Sequence, residues 1–74
     1  MKIEYDKEVD ALYIKITNEK PDGVIEVEEG INIDVTAAGT IVGIELIEAK
    51  KRISLTNFLT YEIDKNSIGE LVAS

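Results

Sequence analysis

Gly30-Ile31-Asn32-Ile33-Asp34-Val35, followed across Thr36 to Thr40 by Ile41-Val42-Gly43-Ile44-Glu45-Leu46-Ile47, is the stretch that decides the fold. Apolar residues alternate with polar ones at a period of two in both halves, which is the pattern of a half-buried β-strand. Ala38-Gly39 lies between them as the turn. Cross-strand partners share a face, and a slip of one residue inverts every side chain, so the register can be read from the alternation. With Ala38-Gly39 as a two-residue loop, Ala37 pairs with Thr40, Val35 with Val42, Ile33 with Ile44, and Ile31 with Leu46. Asp34 then falls opposite Gly43 and Asn32 opposite Glu45. A three-residue loop would set Asp34 against Val42 and Asn32 against Ile44, mixing polar with apolar along the ladder, so the even loop is the expected one.

Working outward toward the N-terminus, Ile3 and Tyr5 alternate with charged neighbours, and Leu12, Ile14 and Ile16 alternate with Tyr13, Lys15 and Thr17. Both segments read as strands around a polar turn at Asp6 to Asp10. Asn18-Glu19-Lys20-Pro21-Asp22-Gly23 is a loop, because proline presets one turn dihedral and glycine tolerates positive φ. A further strand follows, with Ile25 and Val27 on one side and Glu26 and Glu28 on the other. The connections are too short for parallel crossovers, so the expected architecture is α+β and mainly β. It is an antiparallel meander of about five strands with a short C-terminal helical segment packed on one face.

The chain has 74 residues, room for a single domain divided into a sheet region over 1–52 and a helical or irregular segment over 53–74. After Ile53 two readings stand: a short helix capped by Ser54, or a strand through Leu59, Tyr61 and Ile63. Ser67-Ile68-Gly69-Glu70 has the spacing of a capping box. A chain this short buries only roughly 60 to 65% of its unfolded surface. It has no cysteine for a disulfide and no Cys/His set for a structural zinc. The remaining support for so small a core is another subunit, so a homodimer is expected.

Fifteen acidic residues against eight basic ones leave a charge of −7. Phosphate binding depends on Lys and Arg displacing counterions, so nucleic acid is not an expected partner, and an anionic membrane surface is disfavoured for the same reason. No apolar run approaches the roughly 20 residues of a membrane-spanning helix, and the N-terminus has no apolar signal-peptide core. A cytoplasmic location is expected.

Chemistry is sparse. Asp6, Glu8 and Asp10 alternate like the first ligands of a calcium loop, but the glycine due at the sixth position is Ala11 and the acid due at the twelfth is Thr17. Turn aspartates that accept backbone N–H groups of their own turn are the simpler reading. No histidine is present to activate a serine or threonine, and the glycines form no phosphate loop, so no catalytic residue, metal or cofactor is expected. What remains is a candidate interaction or ligand patch on one sheet face: Asp34, Glu45 and Asn32, with Tyr13 as a hydrogen-bond partner of Glu45. Ile41 and Ile47 break the alternation on that face and call for a cover, from the C-terminal segment or from a second subunit. Gly43 in mid-strand marks a bulge or the close approach of another element.

Met1 to Ile16, Glu28-Glu29-Gly30, Ala38-Gly39 and Ile41 to Ala49 together resemble the domain-of-unknown-function family 2283, over Met1 to about Arg52. The most specific elements are Tyr5-Asp6, Asp10-Ala11-Leu12-Tyr13-Ile14 and Val42-Gly43-Ile44-Glu45. The resemblance implies a small, β-rich, mainly prokaryotic protein with no established activity. Some relatives resemble companions of small toxin-like proteins, which implies a binding role. Two departures stand out: Thr36-Ala37-Ala38-Gly39 replaces an Asp-rich turn, and Lys50-Lys51-Arg52 follows Ala49 where relatives tend to have serine. On this reading the chain is a non-enzymatic protein-interaction module, with a small basic protein as the expected partner class. The alternative is a small-ligand or divalent-metal binder using the carboxylates of the sheet face or of the first turn.

Overall fold

The alternating segments form five strands in the computed structural model, which describes residues 1–64 and 66. They are β1 (Lys2–Asp6), β2 (Ala11–Lys15), β3 (Gly23–Glu28), β4 (Ile31–Val35) and β5 (Ile41–Ile47). A helix of one turn, α1 (Ala49–Arg52), and a 3-10 helix (Leu55–Leu59) follow. Every pairing is antiparallel and the order across the sheet is β1-β2-β5-β4-β3. The expected meander thus forms in two parts, a β1–β2 hairpin and a β3–β4–β5 run, joined where β5 returns beside β2. The connection over residues 16–22 must cross three strand spacings, roughly 14 Å. That is well within the roughly 23 Å that seven extended residues can reach.

Ile31 pairs with Leu46, Asn32 with Glu45, Ile33 with Ile44 and Asp34 with Gly43, as the alternation requires. Beyond Asp34 the expected register fails, because Val35 faces Ile41 and not Val42. The turn explains why. Thr36 N–H donates to Thr40 O (2.9 Å) and Gly39 N–H to Thr36 O (2.9 Å), with Gly39 at φ 90°, so residues 37–39 form a three-residue loop ending in a left-handed glycine. An odd loop would have inverted the ladder, but Val42 bulges out of it and restores parity. The bulge is held from the other side: the Val42 carbonyl accepts Ile16 N–H (2.8 Å) and Thr17 N–H (3.2 Å). The loop is tethered by Asp22, whose Oδ2 accepts Ala37 N–H at 2.6 Å.

Register places Ile3, Ile14, Ile44, Ile33 and Ile25 in one row across all five strands, on the face shared by Leu12, Leu46 and Ile31. Residues 58–63 lie at one end of this face, where Phe58, Tyr61 and Ile63 line a groove with Met1, Ile3 and Ile14. No strand forms through Leu59, Tyr61 and Ile63; Ser54 precedes the 3-10 helix but makes no side-chain cap, its hydroxyl meeting that of Thr56 at 2.9 Å. The capping box at Ser67 to Glu70 lies outside the described residues. Among the described residues the buried hydrophobic side chains are Leu12, Val42 and Ala49.

Candidate functional site

The opposite face carries a second complete row, Glu4, Tyr13, Glu45, Asn32 and Glu26, one residue from each strand. Neighbouring strands lie roughly 4.8 Å apart, so the three glutamates stand at intervals of roughly 9.6 Å. Tyr13 does not rise from this row into solvent. Its ring leans diagonally over β5 and its hydroxyl donates to Asp34 Oδ2 on β4 at 2.8 Å. Gly43 makes the path possible, because a Cβ at that position would collide with the Tyr13 hydroxyl and ring. Both expected meanings of Gly43 are therefore met, since the bulge is adjacent and the aromatic ring crosses above it.

The Tyr13 phenol is pushed up to about 12, first by its hydrogen bond to Asp34 and then by desolvation, with the charges of Asp34, Glu4 and Glu45 adding to both. It is a donor at neutral pH and not a base. The expected hydrogen bond from Tyr13 to Glu45 is not made. Glu45 instead accepts from Asn32 Nδ2 (Oε1, 3.2 Å), its direct cross-strand neighbour. Asp34, Glu45, Asn32 and Tyr13 are all half-buried on this face.

Ile41 and Ile47 do not form one strip. The bulge at Val42 sets Ile41 opposite Val35, away from the acidic row, whereas Ile47 stays on the Glu45 side opposite Ala11. Ile47 lines a groove of about 470 Å³ with Glu26, Glu28, Glu29, Asn32 and Glu48. Its rim is closed by Arg52, whose guanidinium donates to Glu29 O (2.5 Å) and Ile47 O (3.1 Å) and lies over Gly30, a left-handed residue at φ 85°. The basic cluster is thus divided in purpose. Arg52 joins the ends of β4 and β5, and Lys51 pairs with Glu48 at 2.6 Å, which lowers the Glu48 carboxyl and raises the Lys51 ammonium.

The first turn is structural, though not wholly as expected. Asp6 accepts Glu8 N–H within its own turn at 2.9 Å. Asp10, left-handed at φ 52°, accepts Tyr5 Oη–H at 2.8 Å and reaches 40 residues along the chain to Lys50 N–H at 3.2 Å. Its carbonyl accepts Ala49 N–H at 3.0 Å. Sequence reasoning missed these links, because Glu48 stands at the N-cap of α1 yet makes no side-chain cap and pairs with Lys51 instead, leaving the first N–H groups of α1 to Asp10. Among the described residues no three His, Cys, Asp or Glu side chains converge to hold a metal ion. No helix among them is long and apolar enough to cross a membrane.

No curated protein and no solved structure matches the chain. A family described as "Protein of unknown function (DUF2283)" matches residues 2–50, from β1 through β5 into α1, and so takes in both cross-sheet rows, Gly43 and Asp10. That match covers about two thirds of the chain, and the protein belongs to the DUF2283 family.

Proposed function

We propose that the chain is a non-enzymatic protein-interaction module whose acidic sheet face receives a basic segment of a partner protein. The observation that carries this reading is the row Glu4–Tyr13–Glu45–Asn32–Glu26, continued by the glutamate-lined groove beside Ile47. Hydrogen bonds from Tyr13 to Asp34 and from Asn32 to Glu45 hold two of the carboxylates in place, so less ordering entropy is lost on binding. Glutamates repeating at roughly 9.6 Å suit Lys or Arg side chains spaced two helical turns apart, roughly 10.8 Å. Ile47 supplies an apolar wall for their methylene stems. A charge of −7 speeds encounter with a basic protein and turns nucleic acid away.

The test is capture from native extract at physiological salt, comparing the natural chain with a Glu26→Gln/Glu45→Gln variant of the same shape. The expected result is a basic protein retained by the natural chain, released as salt rises and lost with the variant. Recovery of the chain alone, or equal retention by both, overturns the reading. Heat released on titration with calcium, magnesium or manganese would point instead to a cation site among the same carboxylates.

A further inference from the structure

The acidic face is not acidic throughout. One step along the strands from Glu4 and Tyr13, roughly 6.8 Å away, the register sets Lys2 directly opposite Lys15, with Gly43 next across the sheet. Like charges so placed repel each other and weaken the ladder. Fifteen acids stand in the chain, yet Lys15 is half-buried and makes no ion pair with any described residue. The carboxylate of its own row, Asp34 beyond Gly43, accepts the Tyr13 hydroxyl instead. Lys2 has one carboxylate near it, Glu4 at 3.7 Å. Two ammonium groups and one carboxylate leave a single positive charge in excess at this corner. A hollow of about 140 Å³ adjoins both lysines and is lined also by Met1, Ile16, Thr17 and Asn18. A water takes roughly 30 Å³, so the hollow has room for a carboxylate group and not for a bulky anion.

Given the acidic-face reading above, on which this rests, we infer that Lys2 and Lys15 receive a carboxylate of the partner and so fix the direction in which its basic segment crosses the sheet. The glutamate row cannot do this by itself. Glu4 on β1, Glu45 on β5 and Glu26 on β3 repeat at equal intervals, so evenly spaced Lys or Arg side chains fit it either way round. The lysine pair makes one end unlike the other. A partner acid beside the residue that meets Glu4 is attracted to Lys2 and Lys15, and the same acid turned to the β3 end meets Glu26 and is repelled. The excess of one positive charge also selects the group. A carboxylate balances it, whereas a phosphate dianion brings surplus negative charge against Glu4, and a partner lysine adds to the repulsion already present.

Calorimetric titration with synthetic alanine-based helical peptides tests it. Each peptide carries three lysines two turns apart and one glutamate, set beside the first, the middle or the last lysine, so all three have the same composition and net charge. One of the two terminal placements should bind the natural chain about fivefold more tightly than the middle placement, the scale of an exposed ion pair. In Lys15→Gln that preference should disappear, and added salt should shrink it in the natural chain. Equal affinity for all three peptides, tightest binding of the middle placement, or a preference that survives Lys15→Gln overturns the inference and leaves the acidic-face reading standing. Binding of none of them overturns both. The side-chain methylene signals of Lys2 and Lys15 in the unaltered chain give a second readout free of any folding defect. They should move with the preferred peptide and stay in place with the middle isomer, and identical shifts with both sink the proposal.

Discussion

At Gly43 a missing side chain does the structural work. The Tyr13 ring occupies the space that a Cβ would take, and its hydrogen bond to Asp34 ties β2 to β4 across β5. Gly43→Ala should therefore destabilise the fold by about 1–3 kcal/mol, through overpacking and loss of that bond, as measured by urea unfolding. Tyr13→Phe should cost about 1 kcal/mol, and the two changes together less than their sum, since they break the same contact. The phenol also sets a pH signature. Its ionisation is pushed up to about 12 from the ordinary tyrosine value of 10.0, so its contribution is complete below pH 10. It is lost as the pH rises from there through about 12, because the unfolded chain gives up the proton first. The urea midpoint should fall over that window in the natural protein and fall less in Tyr13→Phe.

Among the elements, α1 is too short to stand alone, since helices of one turn gain little from their own hydrogen bonds. It is held by Asp10, which supplies acceptors to Ala49 N–H and Lys50 N–H from the distant first turn. Asp10→Ala should cost about 1–2 kcal/mol, the scale of a lost helix cap, and Asp10→Asn less, because asparagine keeps an acceptor oxygen and tolerates the left-handed backbone. Thermal unfolding of the two variants checks the order. The β4–β5 turn shows how far local pattern reaches. Ile31, Ile33, Ile44 and Leu46 announced their partners through alternation, and those pairs formed. The loop length did not follow, because alternation constrains parity alone, and an odd loop with a compensating bulge satisfies parity as well as an even loop does.

For the molecule as a whole, two faces of unlike chemistry share one thin sheet. Carboxylates on one side repel each other, so raising sodium chloride from about 20 to about 500 mM should raise the urea midpoint of the natural chain, and less so in Glu26→Gln/Glu45→Gln.

Strand positions, the acidic and apolar faces and the partners of the central ladder were legible in the amino-acid order, because a period of two assigns each side chain to a face before any tertiary contact forms. Asp34, Asn32 and Glu45 were gathered on one face for that reason, and Tyr13 joined them only because β5 returns beside β2. Which of them bond was decided only in three dimensions: Tyr13 passes over Gly43 to Asp34, leaving Glu45 to Asn32. The return of β5 beside β2, the bulge that moves Ile41 off the acidic side and the reach of Asp10 to Lys50 belong to the same class. Each depends on where distant backbone lies, and periodicity along a strand carries no information about its neighbours across space.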